Sequence, residues 1–246
     1  MLRSILGAAL LGLGLFSSGF LCPSVASAVQ VAITNPGFED PVLNDGISSP
    51  ITPGWGGPYG PDYPGPPGFY GFGWSLNPST SDMNGGNAPE GNNMGAAIQI
   101  GEGGNNIPTP LYQQTAALLT ANTLYTLHVA VGHPIPNAPT FGAPITYAGY
   151  TVELDAGGSV LTMDNSSVSI AQGDYQYIDV TFTALPGDPQ LGQPVVIQLS
   201  SPGLATYNGA YFDNVTLTAT PVPEPATIAL FGLGVIALID IRRRCK

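Results

Sequence analysis

Between Val29 and Pro221 the chain has no lysine and no arginine, while the same stretch carries 14 carboxylates. All five basic residues lie outside it, at Arg3, Arg242, Arg243, Arg244 and Lys246. Phosphate recognition needs cationic contacts, so a nucleic-acid-binding central region is excluded. Ordinary Lys or Arg salt bridges cannot hold this region together either. Its only cysteines, Cys22 and Cys245, also fall outside, so no disulfide braces it. With 33 glycines and 25 prolines, a largely helical protein is ruled out.

What the ends contain is directional. Arg3 precedes an apolar run from Ile5 to Leu21, then Pro23 and Ala26-Ser27-Ala28. This is the layout of a signal peptide over 1–28, cut by signal peptidase before Val29. A second apolar run, Ala226 to Ile239, is followed by Arg242-Arg243-Arg244. As a helix it is short for a ~30 Å hydrocarbon core, which suits transient or stable insertion into the inner membrane.

The middle reads as antiparallel sheet. Tyr125, Leu127, Val129 and Val131 alternate within Thr123–Val131, and Tyr175–Thr183 and Pro194–Leu199 alternate likewise. Gly157-Gly158 separates two further runs, 147–154 and 159–163, as a hairpin turn would. Tyr211–Thr218 makes a last strand, and Gln30–Phe38, Gly95–Ile100 and Leu111–Thr115 are earlier candidates. Eight or nine short strands predict an all-β sandwich over 29–220, of jelly-roll form.

Pro223-Glu224-Pro225, the apolar run and the arginine tail together resemble the PEP-CTERM sorting signal. That resemblance implies export from a Gram-negative bacterium, processing by an exosortase-type membrane protease, and a final place at the cell surface or in the extracellular matrix. Within the sandwich, Asn35-Pro36-Gly37-Phe38-Glu39, Pro53-Gly54-Trp55, Tyr112-Gln113-Gln114, the 119–127 run and Phe212–Leu217 resemble galactose-binding-like jelly rolls. The resemblance implies a structural calcium at Glu39 and Asp213. Calcium also suits carboxylates that have no cationic partners.

Trp55 to Trp74 holds seven aromatics among glycines and prolines, which predicts a loop or extended flap. Trp55 is the core candidate in that segment. Tyr63, Tyr70 and Trp74 are the candidates for a stacking surface that would meet a sugar ring, such as exopolysaccharide, or another protein. No nucleophile elbow, zinc-protease motif or phosphate-binding glycine loop is present. Glu102, Glu153 and Asp155 are available to a glycoside-acting hydrolase, but nothing in their spacing sets two carboxyl groups across a cleft. The expectation is therefore a non-catalytic exported module that binds carbohydrate. A purely structural matrix protein is the alternative, and a glycoside hydrolase ranks third.

Overall fold

The computed structural model describes residues 27–56, 73–99, 110–136, 144–202 and 207–222. Eleven strands are seen among them: β1 Val29–Val31, β2 Ser48–Ser49, β3 Gly73–Leu76, β4 Met94–Gln99, β5 Leu111–Leu118, β6 Thr123–Gly132, β7 Thr151–Ala156, β8 Ser159–Asp164, β9 Tyr175–Ala184, β10 Pro194–Ser200 and β11 Asn208–Pro221. They form two sheets. The larger runs β2-β3-β4-β11-β6-β9, with β1 added beside β11, and the smaller runs β5-β10-β7-β8. Every strand pair is antiparallel. The architecture is a two-sheet β-sandwich.

Side-chain alternation builds the core. Leu127, Val129 and Val131 of β6 and Ile178 and Val180 of β9 face Val152 and Leu154 of β7 and Val195, Ile197 and Leu199 of β10. Each such fully buried aliphatic side chain contributes about 1.5–3 kcal/mol. The β7–β8 hairpin turns on Gly157 and Gly158, whose φ values of 57° and 75° give a two-residue turn matching strand twist. Tyr125 fastens the β5–β6 turn, accepting from Thr120 N at 2.9 Å and donating to Leu118 O at 3.1 Å.

The structure departs from the sequence reading in three places. β1 ends at Val31 rather than reaching Phe38. Asn35 and Phe38 take left-handed φ values of 49° and 57°, outside the extended region of a regular strand. The Asn35 side chain then holds the turn, donating to Asp40 O at 2.8 Å and Pro53 O at 3.1 Å. The strand expected to end at Thr115 continues through residues 116–118 as part of β5. Trp74 is not in a loop: it lies in β3, hydrogen-bonded between β2 and β4. Tyr63 and Tyr70, the sorting motif Pro223-Glu224-Pro225, Arg242, Arg243 and Arg244, and the expected terminal helix lie outside the described residues. Among the described residues no helix is long and apolar enough to cross a membrane.

β11 changes partner part-way, and this positions the site. Asn208–Phe212 pair with β4, whereas Leu217–Ala219 pair with β1. Between them a bulge against β6 spans Asp213 to Thr216, with Asn214 at φ 48°. From Val215 onward alternation returns: Val215 and Leu217 are buried and Thr216 and Thr218 only partly so. Before it, from Asn208 to Asp213, every residue is buried.

Candidate active site

Burial on both faces of β4 and of the first half of β11 requires a second apolar layer. The inward residues Ala97, Ala210 and Phe212 join the sandwich core. The outward ones, Met94, Ala96, Ile98 and Tyr211, form a separate cluster with Leu76, Met83 and Ile145, against which Trp74 packs half-buried. The 77–93 segment brings Met83 over the sheet, and the chain near Ile145 closes the other side. Their backbones are fastened: Ile135 N donates to Asp82 O at 3.0 Å, Asn84 N to Gly173 O at 2.8 Å, and Gly209 N to Thr146 O at 2.9 Å. At the end of β6, a methyl group on Gly132 would stand 3.1 Å from Tyr211 Cβ and 3.2 Å from the Met94 terminal methyl. Glycine is what lets that strand end come so close.

Two polar side chains enter this apolar layer. Asp82 is fully buried, and its Oδ2 accepts from Ser79 N at 2.8 Å and from Ser79 Oγ at 2.6 Å. Tyr211 is also fully buried, and its hydroxyl has no hydrogen-bond partner. Burial pushes the phenol well above its ordinary pKa, and the Asp82 carboxylate adds to the effect. The group is therefore a neutral O–H donor with nothing to donate to.

A carboxylate group adjoins the cluster. Asp213 stands two residues after Tyr211 on the same outward side of β11, and Oδ2 accepts from Glu90 N at 2.7 Å. Asn214 N donates to its Oδ1 at 2.7 Å. Glu39 Oε1 accepts from Asn92 N and Asn93 N, both at 2.8 Å. The 90–93 turn thus bridges Glu39 and Asp213, the two residues expected to hold calcium. A methyl group on Gly37 would strike the Glu90 carboxylate and lie 3.7 Å from Asp213 Oδ1, so Glu90 joins them. Burial pushes the Asp213 carboxyl up to about 8; the backbone N–H bonds pull it down, and Glu90 and Glu39 push it further up. Asn93 Oδ1 is buried nearby without a partner. These are hard oxygen donors of the kind calcium takes. As placed, no three metal-ligating side chains among the described residues converge closely enough to hold an ion.

Elsewhere the chemistry is thinner. Glu153 and Asp155 sit side by side on β7 and face outward from the smaller sheet, with Gln198 donating to Glu153. They share one strand face instead of opposing each other across a cleft, which disfavours paired-carboxylate hydrolysis. His128 bonds Asp179 at 2.7 Å and stacks on Tyr177 on an open face. A groove of about 440 Å³ runs between Val29, Leu118, Tyr125 and Pro221, and none of its lining residues is acidic, basic or histidine. Trp55, the core candidate, is buried; its Nε1 donates to Asn35 O at 2.9 Å and its ring lies 5.1 Å from Phe38.

Residues 29–218 match the HpiC1 cyclase family. The crystal structure of the Stig cyclase Fisc from Fischerella sp. TAU with (3Z)-3-(1-methyl-2-pyrrolidinylidene)-3H-indole is 33% identical, with a TM-score of 0.66, over 80% of this chain and all of that one. The chain belongs to the HpiC1 cyclase family. A cyclase from Fischerella sp. TAU in complex with 4-(1H-indol-3-yl)butan-2-one is 34% identical over the same shares, with a TM-score of 0.64. Residues 221–244 match the PEP-CTERM protein-sorting motif, which supports an exported, surface-sorted cyclase-family protein. No curated protein matches the chain.

This membership overturns the expected non-catalytic module and with it the carbohydrate-binding reading and the galactose-binding-like assignment. The physical reason is that ring closure does not need a triad or a metal-binding motif. It needs a shaped, dry surface and a few placed polar groups, and those leave no spacing pattern in a sequence.

Proposed function

We propose that this protein is a cyclase that closes a ring in an apolar, indole-bearing substrate held against the outer cluster. The observation that carries the reading is a second apolar layer on the solvent side of β4 and β11, with an unpartnered hydroxyl inside it, in a chain of this family. The two Fischerella relatives were solved with indole compounds, one a 3H-indole and one an indolyl ketone. Each therefore combines a flat apolar ring system with a hydrogen-bond acceptor.

Ring closure by rearrangement of π bonds makes a new σ bond without a co-reactant, so substrate and product have equal mass. Positive charge that develops on the way survives only where water is excluded. The half-buried Trp74 ring offers a polarisable π face to such a cation. A panel of indoles bearing an open-chain alkenyl group, incubated with the protein, should give isomers of unchanged mass and new retention. Trp74→Ala should lower the rate by roughly tenfold or more, the loss of about one hot-spot contact. Absence of isomerisation across the panel would sink the reading.

We assign calcium to Glu39 and Asp213, with Glu90 beside them, as a brace for the turn that roofs the cluster. For export, we infer cleavage by signal peptidase before Val29 and by an exosortase-type protease near Pro223–Pro225 after transient membrane insertion, with the exopolysaccharide-rich surface as destination. A jelly-roll path for the sandwich belongs to the same reading.

A further inference from the structure

We propose that the groove between β1, β5, β6 and β11 is the membrane-facing end of the domain and takes acyl chains of the bilayer while the 226–239 run is inserted. The inference rests on the membrane insertion inferred above and adds which face of the sandwich meets the lipid.

The groove holds about 440 Å³ and is walled by Val29, Val31, Ala117, Leu118, Tyr125 and Pro221, with no acid, base or histidine in its lining. In a region with 14 carboxylates and no lysine or arginine, an uncharged surface is the one that can approach an anionic leaflet without repulsion. Val29 and Leu118 are exposed, and so are Val222, next after Pro221, and Leu185. Leu185 follows Ala184, whose carbonyl accepts from Asn122 N at 2.7 Å, so it stands beside the β5–β6 turn at the same end. The acid of that turn, Asp188, accepts from Leu185 N at 2.8 Å. Large apolar side chains exposed together at one end mark a contact surface.

Both apolar runs of the chain lead to this end. Val29 pairs with Ala219, so the strand that follows the 5–21 run lies beside the strand that precedes the 226–239 run. Val222 N donates to Asn122 O at 2.7 Å, which pins the outgoing chain to the β5–β6 turn. Only Pro223-Glu224-Pro225 separate Val222 from Ala226, so the apolar run begins at most about 14 Å from the pinned point. Inserting that run draws the groove onto the lipid surface, and so short a tether gives lipid a high effective concentration there. Two prolines in three residues oppose the reversal that would fold the run back into the groove. Lipid is therefore the favoured occupant over the chain's own tail.

The test uses the full chain in phosphatidylcholine vesicles, with and without bromine on the acyl chains, which quenches tryptophan on contact. Leu118→Trp, in the groove, and Leu185→Trp, beside it, should each lose emission in the brominated vesicles beyond the parent's own loss from Trp55 and Trp74. Met163→Trp is the control and should show no extra loss. Met163 is as exposed as Leu118 but lies on β8, at the opposite edge of the smaller sheet from β5. Equal loss at 118 and 163, or no extra loss at either 118 or 185, in protein that floats with the vesicles would overturn the lipid assignment and leave insertion standing. Shielding of the Leu118→Trp ring from aqueous iodide without quenching by bromine would put protein in the groove and overturn it likewise. Protein that does not float with the vesicles would take the insertion reading down with it.

Discussion

The backbone N–H of Glu90 donates to Asp213 Oδ2 at 2.7 Å, tying the segment that roofs the outer cluster to the strand that floors it. Tyr211, two residues earlier, projects to the same side into the cluster that holds Met83 and Met94, within reach of the Asp82 charge. Roof, acid group and phenol are therefore mechanically one unit. Disturbing the carboxylates should be felt at the phenol.

Calcium gives the first prediction. At fixed ionic strength, millimolar calcium should raise the melting temperature of the full chain relative to a chelated sample, and sodium chloride at equal ionic strength should not. Glu39→Gln or Asp213→Asn should remove that increment. Identical melting with calcium and with chelator would return these carboxylates to a purely hydrogen-bonding role.

Gly95→Ala tests the packing between the roof's anchor and the sheet. A methyl group there would stand 2.5 Å from the Phe38 ring, which is itself buried and packed on Trp55. Neither ring has room to withdraw, so the substitution should cost about 1–3 kcal/mol, read as a lower melting temperature. Gly158→Ala is the contrast: nothing stands within 4 Å of the added methyl, and only its left-handed φ of 75° opposes the change. A larger loss at Gly158 than at Gly95 would contradict the packing described.

Asp155 sets a pH dependence. Burial raises its pKa to about 7, with the Glu153 charge adding to the rise, and its Oδ1 is buried without a partner. A carboxyl with a raised folded-state pKa binds its proton more tightly in the folded chain. Stability is therefore lost as pH climbs from about 4, the unfolded value, through about 7. Asp155→Asn should gain stability above pH 8 and gain little near pH 4. The carboxyl is partly exposed, so screening by solvent trims the gain to roughly 1 kcal/mol. A gain of equal size at both pH values would show that the charge is not the cause.

How much of this was legible in the sequence follows from periodicity. β6, β9 and β10 bury one face each, so Tyr125-Leu127-Val129-Val131 and its counterparts alternate visibly. β4 reads Met94-Gly95-Ala96-Ala97-Ile98 because both faces are covered, and such a run shows no period. Trp74 was hidden by the glycines and prolines before it, which belong to a loop signature although the strand starts at Gly73. Asp213 and Glu39 were visible as acids in a familiar setting. Tyr211, one position before Phe212, looked like any core aromatic. What distinguishes it is the absence of a partner for its oxygen, a property of the packing around it. The burial of every residue from Asn208 to Asp213 emerges only in the fold.

The most direct test of the central claim is a crystal structure of the protein with 4-(1H-indol-3-yl)butan-2-one bound. The account predicts the indole ring against the half-buried Trp74, on the outer face of β4 and β11. Density for the ligand only elsewhere, for example in the groove between Val29, Leu118 and Tyr125, would contradict the placement of the active site on the outer face of β4 and β11.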